Sequence, residues 1–280
     1  MTLRACIIGH PVAHSRSPLI HNHWLSLHKI AGEYVREDVS PENIDAFLKA
    51  FSRSGYVGGN VTIPYKEIAS AAVASRDSVA EALGAVNTLW HAEGKLFGAN
   101  TDVYGFLAHL DDGAPRRRLS AKTALVLGAG GSARAAIYGL IERKIGAILL
   151  ANRTQARAEQ LATRFGKTVT PLPVGEISSR LPAIDLLVNT TTLGMKGQPP
   201  LAIDLAPLKR GAIVYDFVYA PLETALLAQA RARGHLVLDG LGMLLHQAVP
   251  AFKRWFGVRP RVTPDLRALV VADLAREGLA

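Results

Sequence analysis

Short runs of apolar and β-branched residues alternate with helical patterns from one end of the chain to the other. Runs of this kind that end in Gly, Pro, Asn or Asp are typical of strands, and apolar residues repeating every three to four positions predict helices. Strands are predicted at 5–9, 33–39, 57–63, 88–90, 95–99, 123–127, 147–151, 168–170, 186–188, 213–215 and 236–238. Helices are predicted at 17–27, 41–51, 155–165, 241–255 and 263–277.

The alternation of strands and helices after residue 123 predicts a parallel sheet covered by helices on both faces. The chain has 280 residues, enough for two domains at roughly 100–200 residues each. The segment 111–121 contains turn residues and the basic run Arg116 to Arg118, which is typical of a surface connection. We therefore expect an α/β protein with two domains.

The composition excludes several classes of protein. Hydrophobic residues make up 49% and charged residues 20%, which excludes a disordered chain. Cys6 is the single cysteine, so an intrachain disulfide and a thiolate-built zinc site are excluded. No segment resembles a signal peptide or an apolar membrane span of ~20 residues, so we expect a cytoplasmic protein with no membrane partner.

The net charge of +9 raises the possibility of a nucleic-acid partner. The only dense basic run is Arg116 to Arg118, and aromatic residues make up just 6%, so we expect no nucleic-acid binding. Histidines cluster between His10 and His28, but His21 and His23 diverge by ~200° on a helix. We therefore expect no metal site.

A glycine-rich loop follows the strand at 123–127 and fits the pattern G-x-G-x-x-A, from Gly128 to Ala133. A strand before this pattern and a helix after it are the context of a dinucleotide-binding turn, in which the helix N-terminus attracts the pyrophosphate. A glycine turn without a ligand is the alternative. The agreement of pattern and context favours the nucleotide.

The next strand ends in Asn152-Arg153-Thr154, where an NAD-binding domain would place an acidic residue. A guanidinium fits the 2′-phosphate of NADP, and the Thr154 hydroxyl can add a hydrogen bond. In the alternative interpretation Thr154 is only a helix N-cap and Arg153 only a solvated charge. We expect NADP(H) rather than NAD(H).

Hydroxyl and amide side chains follow the strands of the first hundred residues, which suits a polyhydroxylated ligand. Taken in order, these and later motifs resemble the shikimate dehydrogenase (shikimate/quinate dehydrogenase) family over essentially the whole chain. The motifs are His14-Ser-Arg-Ser-Pro18, Gly59-Asn-Val-Thr-Ile-Pro64 with Lys66, Asn87-Thr88, Asn100-Thr-Asp102, Gly128-Ala-Gly-Gly131, Asn152-Arg-Thr154, Asn189-Thr-Thr-Thr-Leu-Gly-Met195, and Asp239-Gly-Leu-Gly-Met243 with Gln247.

The resemblance implies an α/β substrate-binding domain at 1–102 plus 241–280 and a Rossmann-like NADP-binding domain with a parallel sheet at 103–240. It implies Lys66 and Asp102 as the catalytic pair. Substrate-binding residues would be Ser15, Ser17, Asn60, Thr62, Asn87, Tyr219 and Gln247. Cofactor-binding residues would be Gly128, Ala129, Gly130, Gly131, Ser132, Ala133, Asn152, Arg153, Thr154, Thr190, Gly240 and Met243, with Tyr219, Gly240 and Met243 lying where nicotinamide meets substrate.

The implied reaction is the reversible reduction of 3-dehydroshikimate to shikimate by NADPH, in aromatic amino acid biosynthesis. Hydride delivery to a ketone leaves a developing alkoxide, which needs positive charge and a proton. Lys66 can supply both, and Asp102 can orient the ammonium. Taken without the family, Lys66 would be interpreted as a solvated lysine at a helix start.

Two alternatives stay open at this point. A quinate or dual quinate/shikimate dehydrogenase shares most of these motifs. A protein that senses NADP or binds nucleic acid without catalysis is the alternative from another class. The oligomeric state is expected to be a monomer or a homodimer.

Overall fold

The computed structural model describes residues 2–114 and 122–280. The basic run from Arg116 to Arg118, which the sequence places on a surface connection, lies outside the described residues. Within those residues, no helix combines the length and the apolar composition needed to cross a membrane.

The chain packs as two units, and neither is continuous in sequence. The first consists of the residues up to Asp102 together with Gln247–Val270. The second consists of Val103–His246 together with Val271–Ala280, as far as these are described. The α/β fold with two units that the sequence predicts is confirmed.

The later boundaries, after residues 246 and 270, differ from the single one expected after residue 240. Residues 241–246 and 271–280 pack with the second unit. Two long helices pass from one unit to the other, so a sequence boundary drawn at a helix start cannot match the packing. At the chain end, the Leu222 N–H donates to the Leu279 carbonyl at 2.6 Å, which ties the last residues to the second unit.

The first unit contains the N-terminal strands and four short helices. Its described strands are β1 Leu3–Gly9, β2 Gly32–Asp38, β3 Tyr56–Val61, β4 Ser75–Arg76, β5 Thr88–Ala92 and β6 Lys95–Ala99. Its described helices are α1 Ser17–Leu27, α2 Ile44–Ala50, α3 Lys66–Ala72 and α4 Ser78–Leu83. The strands form one mixed sheet in the order β2-β1-β3-β5-β6-β4, with β5 and β6 as the expected hairpin.

Two hydrophobic layers cover this sheet. On one side Cys6 and Ile8 of β1 pack with Phe51 and the short helices. An aromatic cluster formed by α1 and the helix Gly240–Phe256 includes Trp24, Phe252 and Trp255. Gly58 is required in β3 because a Cβ there would lie 1.9 Å from the Trp255 indole nitrogen. That indole donates to the Leu89 carbonyl at 2.9 Å.

The second unit contains the later strands and the helices between them. Its described strands are β7 Thr123–Leu127, β8 Ala147–Ala151, β9 Val169–Leu172, β10 Leu186–Asn189, β11 Ile213–Asp216 and β12 Leu236–Leu238. The helices that follow α4 are α5 Asp102–Gly113, α6 Gly131–Glu142, α7 Gln155–Phe165, α8 Ile177–Arg180, α9 Ala225–Ala232, α10 Gly240–Phe256 and α11 Pro264–Arg276. Of these, α10 and α11 each have residues in both units.

The strands of the second unit form one parallel sheet in the order β12-β11-β10-β7-β8-β9. Alternate residues of β7 enter two different cores: Ala124 and Val126 face one, and Leu125 and Leu127 face the other. Helices therefore cover both faces, as predicted. The chain reverses its direction of winding between β7 and β10, and ligands of open parallel sheets bind at the carboxyl edge beside such a point.

Candidate active site

A hydrogen-bonded set of polar side chains lies at one end of the first unit's sheet. Lys66 begins α3, and its ammonium nitrogen lies 2.5 Å from the Asp102 carboxylate. The side chains of Lys66 and Asp102 are 26% and 11% exposed, so the pair is partly desolvated but still reachable. An ion pair in this environment holds the ammonium in a fixed position better than one in bulk water.

Asn87 connects the Lys66–Asp102 pair to its surroundings. Its amide nitrogen donates to Asp102 at 2.8 Å and contacts the Gln247 side-chain oxygen at 3.3 Å. Its amide oxygen accepts from the Thr101 N–H at 2.8 Å. Four residues that the sequence assigns to catalysis or substrate binding, Lys66, Asp102, Asn87 and Gln247, are thus brought together within the first unit.

Asn60 lies one step further from the Lys66–Asp102 pair and is only 4% exposed. Its amide nitrogen donates to the Asn87 carbonyl at 3.1 Å and to the Thr88 hydroxyl at 3.3 Å. Its amide oxygen accepts from the Tyr34 hydroxyl at 2.7 Å. Because these protein partners occupy both amide groups, the geometry favours a positioning role for Asn60 over direct substrate contact.

Ser15 and Ser17 lie at the start of α1, and both are buried. The Ser15 hydroxyl accepts from the Ser17 N–H at 3.3 Å, which leaves its own O–H available to donate. The Ser17 side chain interacts with the Tyr34 phenol, the same phenol that donates to Asn60. Thr62 is half-buried just after β3, and its N–H donates to the Ile8 carbonyl at 2.9 Å.

His21 is a buried, neutral side chain that contacts Tyr34. Its ring stacks on Tyr34 with centroids 4.2 Å apart and an interplanar angle of 5°. Burial lowers the pKa of His21 to about 3, with Asn60 acting in the opposite direction. The histidines of this segment occupy different environments, since His10 instead meets Asp38 at 2.7 Å on the surface.

The glycine-rich loop of the second unit joins β7 to α6. Gly128 has φ = +106°, a conformation that favours glycine, and a Cβ there would lie 2.7 Å from the Thr190 hydroxyl. At Gly130 and Gly131 an added Cβ would meet no protein atom within 4 Å. The N-terminus of α6 therefore faces open space, as a bound pyrophosphate requires. Ala133 is fully buried and lets the helix pack against the sheet.

The end of β8 presents exposed polar side chains. Arg153 and Thr154 are exposed, and the Asn152 amide nitrogen donates to the Thr154 carbonyl at 2.8 Å. Thr154 is the N-cap residue of α7, but its hydroxyl makes no capping bond. Thr154 therefore occupies the N-cap position, but its hydroxyl remains available to bind a phosphate. These residues fit the 2′-phosphate of NADP.

The remaining predicted residues of the second unit lie near the carboxyl edge of its sheet. Thr190 follows β10, and both its N–H and its hydroxyl donate to the Leu127 carbonyl. Tyr219 is half-buried on the loop after β11. Gly240 and Met243 lie in the first turn of α10, and a Cβ at Gly240 would lie 2.1 Å from the Phe217 carbonyl. Ala129 and Ser132 complete the glycine-rich loop.

Arg157, an exposed residue in the first turn of α7, is not among the residues predicted from the sequence. It lies four positions after Arg153, and its N–H donates to the Thr154 carbonyl at 3.1 Å. The two exposed arginines, Arg153 and Arg157, flank the N-cap Thr154, and this spacing is visible in the sequence.

A two-unit α/β oxidoreductase that uses a dinucleotide is the class of protein that this fold and these residues define. Family models match three parts of the chain: the shikimate dehydrogenase substrate binding domain at residues 7–89, shikimate / quinate 5-dehydrogenase at 113–194, and the shikimate 5'-dehydrogenase C-terminal domain at 240–270. A relative from Azorhizobium caulinodans, "Shikimate dehydrogenase (NADP(+))", is 57% identical over 275 residues, which is 98% of each chain. The chain belongs to the shikimate dehydrogenase family.

Two solved structures show the range of this likeness. Shikimate 5-dehydrogenase from Thermus thermophilus, in complex with NADP(H) and shikimate, has a TM-score of 0.85 and 36% identity, covering 99% of this chain and 100% of that one. Quinate dehydrogenase from Corynebacterium glutamicum, in complex with NAD, has a TM-score of 0.89 and 32% identity, covering 97% and 99%. The fold alone therefore does not separate the two substrates or the two cofactors.

Proposed function

We propose that this chain catalyses the reversible, NADP(H)-dependent reduction of 3-dehydroshikimate to shikimate in aromatic amino acid biosynthesis. The observation that carries the proposal is the Lys66–Asp102 pair at 2.5 Å, held by Asn87 within a set of buried polar side chains. The 57% identity to a relative named for this activity with NADP(+) supports the same substrate and cofactor.

The proton chemistry follows from the geometry of Lys66. Bound NADPH would supply the hydride to the carbonyl carbon of the substrate. The carbonyl oxygen then gains negative charge, and the Lys66 ammonium stabilises that charge and donates a proton to it. In the oxidation of shikimate, neutral Lys66 accepts the proton from the hydroxyl.

Asp102 orients the Lys66 ammonium for this proton transfer. Its Oδ2 holds the Lys66 ammonium, and its Oδ1 accepts from Asn87. The carboxylate therefore has both oxygens oriented before a substrate arrives, which reduces reorganisation during the reaction. A substrate hydroxyl can donate to the same carboxylate, so that Asp102 both orients the base and binds the ring.

The remaining first-unit residues suit the rest of a shikimate molecule. The Ser15 hydroxyl, whose oxygen already accepts from Ser17, can donate to the substrate carboxylate. Thr62 and Gln247 are half-buried and offer groups to ring hydroxyls. In the second unit we assign the pyrophosphate to the Gly128–Gly131 loop and the 2′-phosphate to Arg153 and Thr154.

A steady-state assay tests this proposal by crossing NADP⁺ and NAD⁺ with shikimate and quinate and following the reduced nicotinamide. We expect kcat/KM with NADP⁺ and shikimate to exceed every other combination by about tenfold or more. Equal rates with quinate would support a dual shikimate/quinate dehydrogenase, the second candidate, which the likeness to quinate dehydrogenase favours. Absence of turnover with every pair would refute both.

We further propose that the chain acts in the cytoplasm as a monomer or homodimer, on small molecules and without nucleic acid. The buried, unpaired state of Cys6 suits a reducing compartment. The positive net charge suits an anionic cofactor and a carboxylate substrate. Light scattering of the purified chain gives the mass in solution, and salt-sensitive DNA binding would contradict the absence of nucleic acid.

A further inference from the structure

A buried carboxylate in the second unit collects hydrogen bonds from three different segments. Asp216 is the last residue of β11 and is 0% exposed. Its Oδ1 accepts from the Asn189 amide at 2.9 Å and from the Val218 N–H at 3.0 Å. Its Oδ2 accepts from the Thr224 hydroxyl at 2.7 Å. The proposed reaction assigns no step to this residue.

The first of these segments is the loop after β10. Asn189, also 0% exposed, lies opposite Asp216 in the sheet register. The Asn189 amide oxygen accepts from the N–H and the hydroxyl of Thr191, at 3.0 and 2.7 Å. The Thr191 hydroxyl in turn accepts from the Leu193 N–H at 3.1 Å. Asp216 therefore orients the Asn189 amide, and the Asn189 amide in turn orients the loop after β10.

The second segment is the loop after β11. The Val218 N–H is held by Asp216, and the Val218 carbonyl accepts from the Gly240 N–H at 3.1 Å. Two residues further on, the Ala220 carbonyl accepts from the Lys196 N–H at 2.9 Å, which joins this loop to the first one. Thr224 completes the set as the N-cap of α9, since its hydroxyl also accepts from the Leu227 N–H.

Both loops lie at the carboxyl edge of the parallel sheet, and they carry Thr190 and Tyr219. We propose that Asp216 is a positioning residue for cofactor binding. Its Oδ1 holds Asn189, just before residues 190–194, and the Val218 N–H, and its Oδ2 holds Thr224 at the end of the second loop. These bonds fix the backbone of residues 190–194 and 217–224 before NADP(H) arrives. This inference rests on the proposed function, since it assigns these loops to the cofactor. Asp216 acts as a hydrogen-bond acceptor, and its negative charge is not needed.

The hydrogen bonds of Asp216 are ones that an asparagine side chain at this position can also make. Burial raises the pKa of Asp216, while the bonds from Thr224, Val218 and Asn189 lower it. The pKa of Asp216 stays raised overall, so the charged form is less favoured in this site than in water. In Asp216→Asn, the amide oxygen can accept from Val218 and Asn189, and the amide nitrogen can donate to Thr224. In Asp216→Ala, three donors lose their acceptor, which is costly in a buried site.

The test compares Asp216→Ala, Asp216→Asn and Thr224→Val with Asp185→Ala as the matched control. Asp185 lies just before β10, at the opposite edge of the same sheet, and accepts from the Thr123 N–H at 3.0 Å and from Lys209 at 2.7 Å. Its loss removes a carboxylate with comparable bonds and leaves both loops intact. The dissociation constant of NADPH is measured by the fluorescence of the bound nucleotide, and hydrogen exchange of the two loops is followed by mass spectrometry.

We expect Asp216→Ala to raise the Kd of NADPH about tenfold and to speed exchange in 190–194 and 217–221, since one to a few hydrogen bonds are lost. Asp216→Asn should stay within about threefold of wild type, and Asp185→Ala should change neither Kd nor loop exchange. A folded Asp216→Ala with the wild-type Kd, or an equal loss in Asp216→Asn, overturns the proposal.

Two further outcomes keep the inference separate from the proposed function. If Asp216→Ala does not fold, Thr224→Val takes its place, and an unchanged Kd in that variant overturns the proposal. If the wild-type chain binds NADPH but does not oxidise shikimate, the proposed function fails while the loop result still stands. If the wild-type chain oxidises shikimate and Asp216→Ala binds NADPH with the wild-type Kd, only the positioning role of Asp216 is refuted.

Discussion

The two units build their candidate sites from different parts of the chain. The first unit uses side chains: Lys66, Asp102, Asn87 and Gln247 bond to one another, and each bond needs a specific functional group. The second unit uses main chain: its glycine-rich loop offers N–H groups to open space. A small polyhydroxylated ligand must be recognised group by group, whereas a pyrophosphate is recognised by any correctly oriented row of backbone donors.

This comparison predicts that variants of the two sites fail in different ways. Side-chain truncation in the first unit should remove chemistry and leave cofactor affinity intact. In the second unit the backbone conformation should matter more than any side chain, apart from the cations that select the phosphate.

The largest effect is expected for Lys66→Ala, which removes the proton donor and the positive charge at the developing alkoxide. We expect kcat to fall by roughly 10²–10⁴ with a smaller change in KM, as is usual for loss of general acid–base help. Steady-state kinetics in both directions measure this. Lys49→Ala, an exposed lysine on α2, serves as the control. An unchanged kcat with a raised KM would make Lys66 a binding residue only.

The next effect tests the backbone of the second unit. Gly128→Ala would introduce a Cβ 2.7 Å from the Thr190 hydroxyl at φ = +106°. We expect NADPH to bind roughly tenfold or more weakly, because the loop must move and strain of about 1–2 kcal/mol must be relieved. Gly166→Ala has a similar φ of +79° but open space around the new Cβ. It should lower stability without changing the Kd, and an equal loss of affinity would contradict the steric account.

A smaller effect is expected at the exposed cation that selects the cofactor. Arg153→Ala should raise the KM for NADPH by roughly 10-fold, within the range for a charged hydrogen bond, and leave the KM for NADH nearly unchanged. Arg164→Ala, an exposed arginine further along α7, is the control. If the KM values for NADPH and NADH changed equally, Arg153 would contribute general attraction and no selectivity.

The last prediction concerns the pH dependence of stability instead of ligand binding or catalysis. His21 has a folded-state pKa of about 3, so its neutral form is favoured by folding and the stabilisation is present above its ordinary pKa of 6.5. It is lost as pH falls from 6.5 towards 3, by up to about 1.4 kcal/mol per pH unit. His21→Phe should flatten this slope, whereas His28→Gln on the exposed end of α1 should not.

The measurement can be confined to the first unit. All three tryptophans, Trp24, Trp90 and Trp255, belong to it. Denaturant unfolding followed by tryptophan fluorescence therefore reports this unit even if the second one unfolds separately. A wild-type slope retained in His21→Phe would show that other groups cause the acid sensitivity.

The sequence predicts the second unit more completely than the first. Continuous apolar strands, the Gly128–Ala133 pattern and the end of β8 identify a parallel sheet and its nucleotide loop, because these signals are local. The hairpin of β5 and β6 and the long helix α10 also appear where they are expected, within one or two residues. The short helices α3 and α4 were not predicted, since seven and six residues carry little periodicity.

The side-chain hydrogen bonds of the first unit cannot be predicted from the sequence, because the bonded residues are far apart along the chain. Asn87 meets Gln247 across 160 positions, and Tyr34 meets Asn60 across 26. A motif can assign Asn87 to a site, but it cannot show which carboxylate oxygen Asn87 holds. The same limit explains Asp216, which belongs to no motif that the sequence singled out and whose donors come from three segments.

The interrupted first unit has a consequence for synthesis on the ribosome. Its sheet leaves the ribosome first, yet the residues that pack on Trp24 and Tyr34, including Phe252 and Trp255, belong to the segment Gln247–Val270. At roughly 5–20 residues per second, this segment follows on the order of 10 to 30 seconds later. The nascent substrate-binding half must therefore wait with aromatic surface uncovered while the nucleotide-binding half is made.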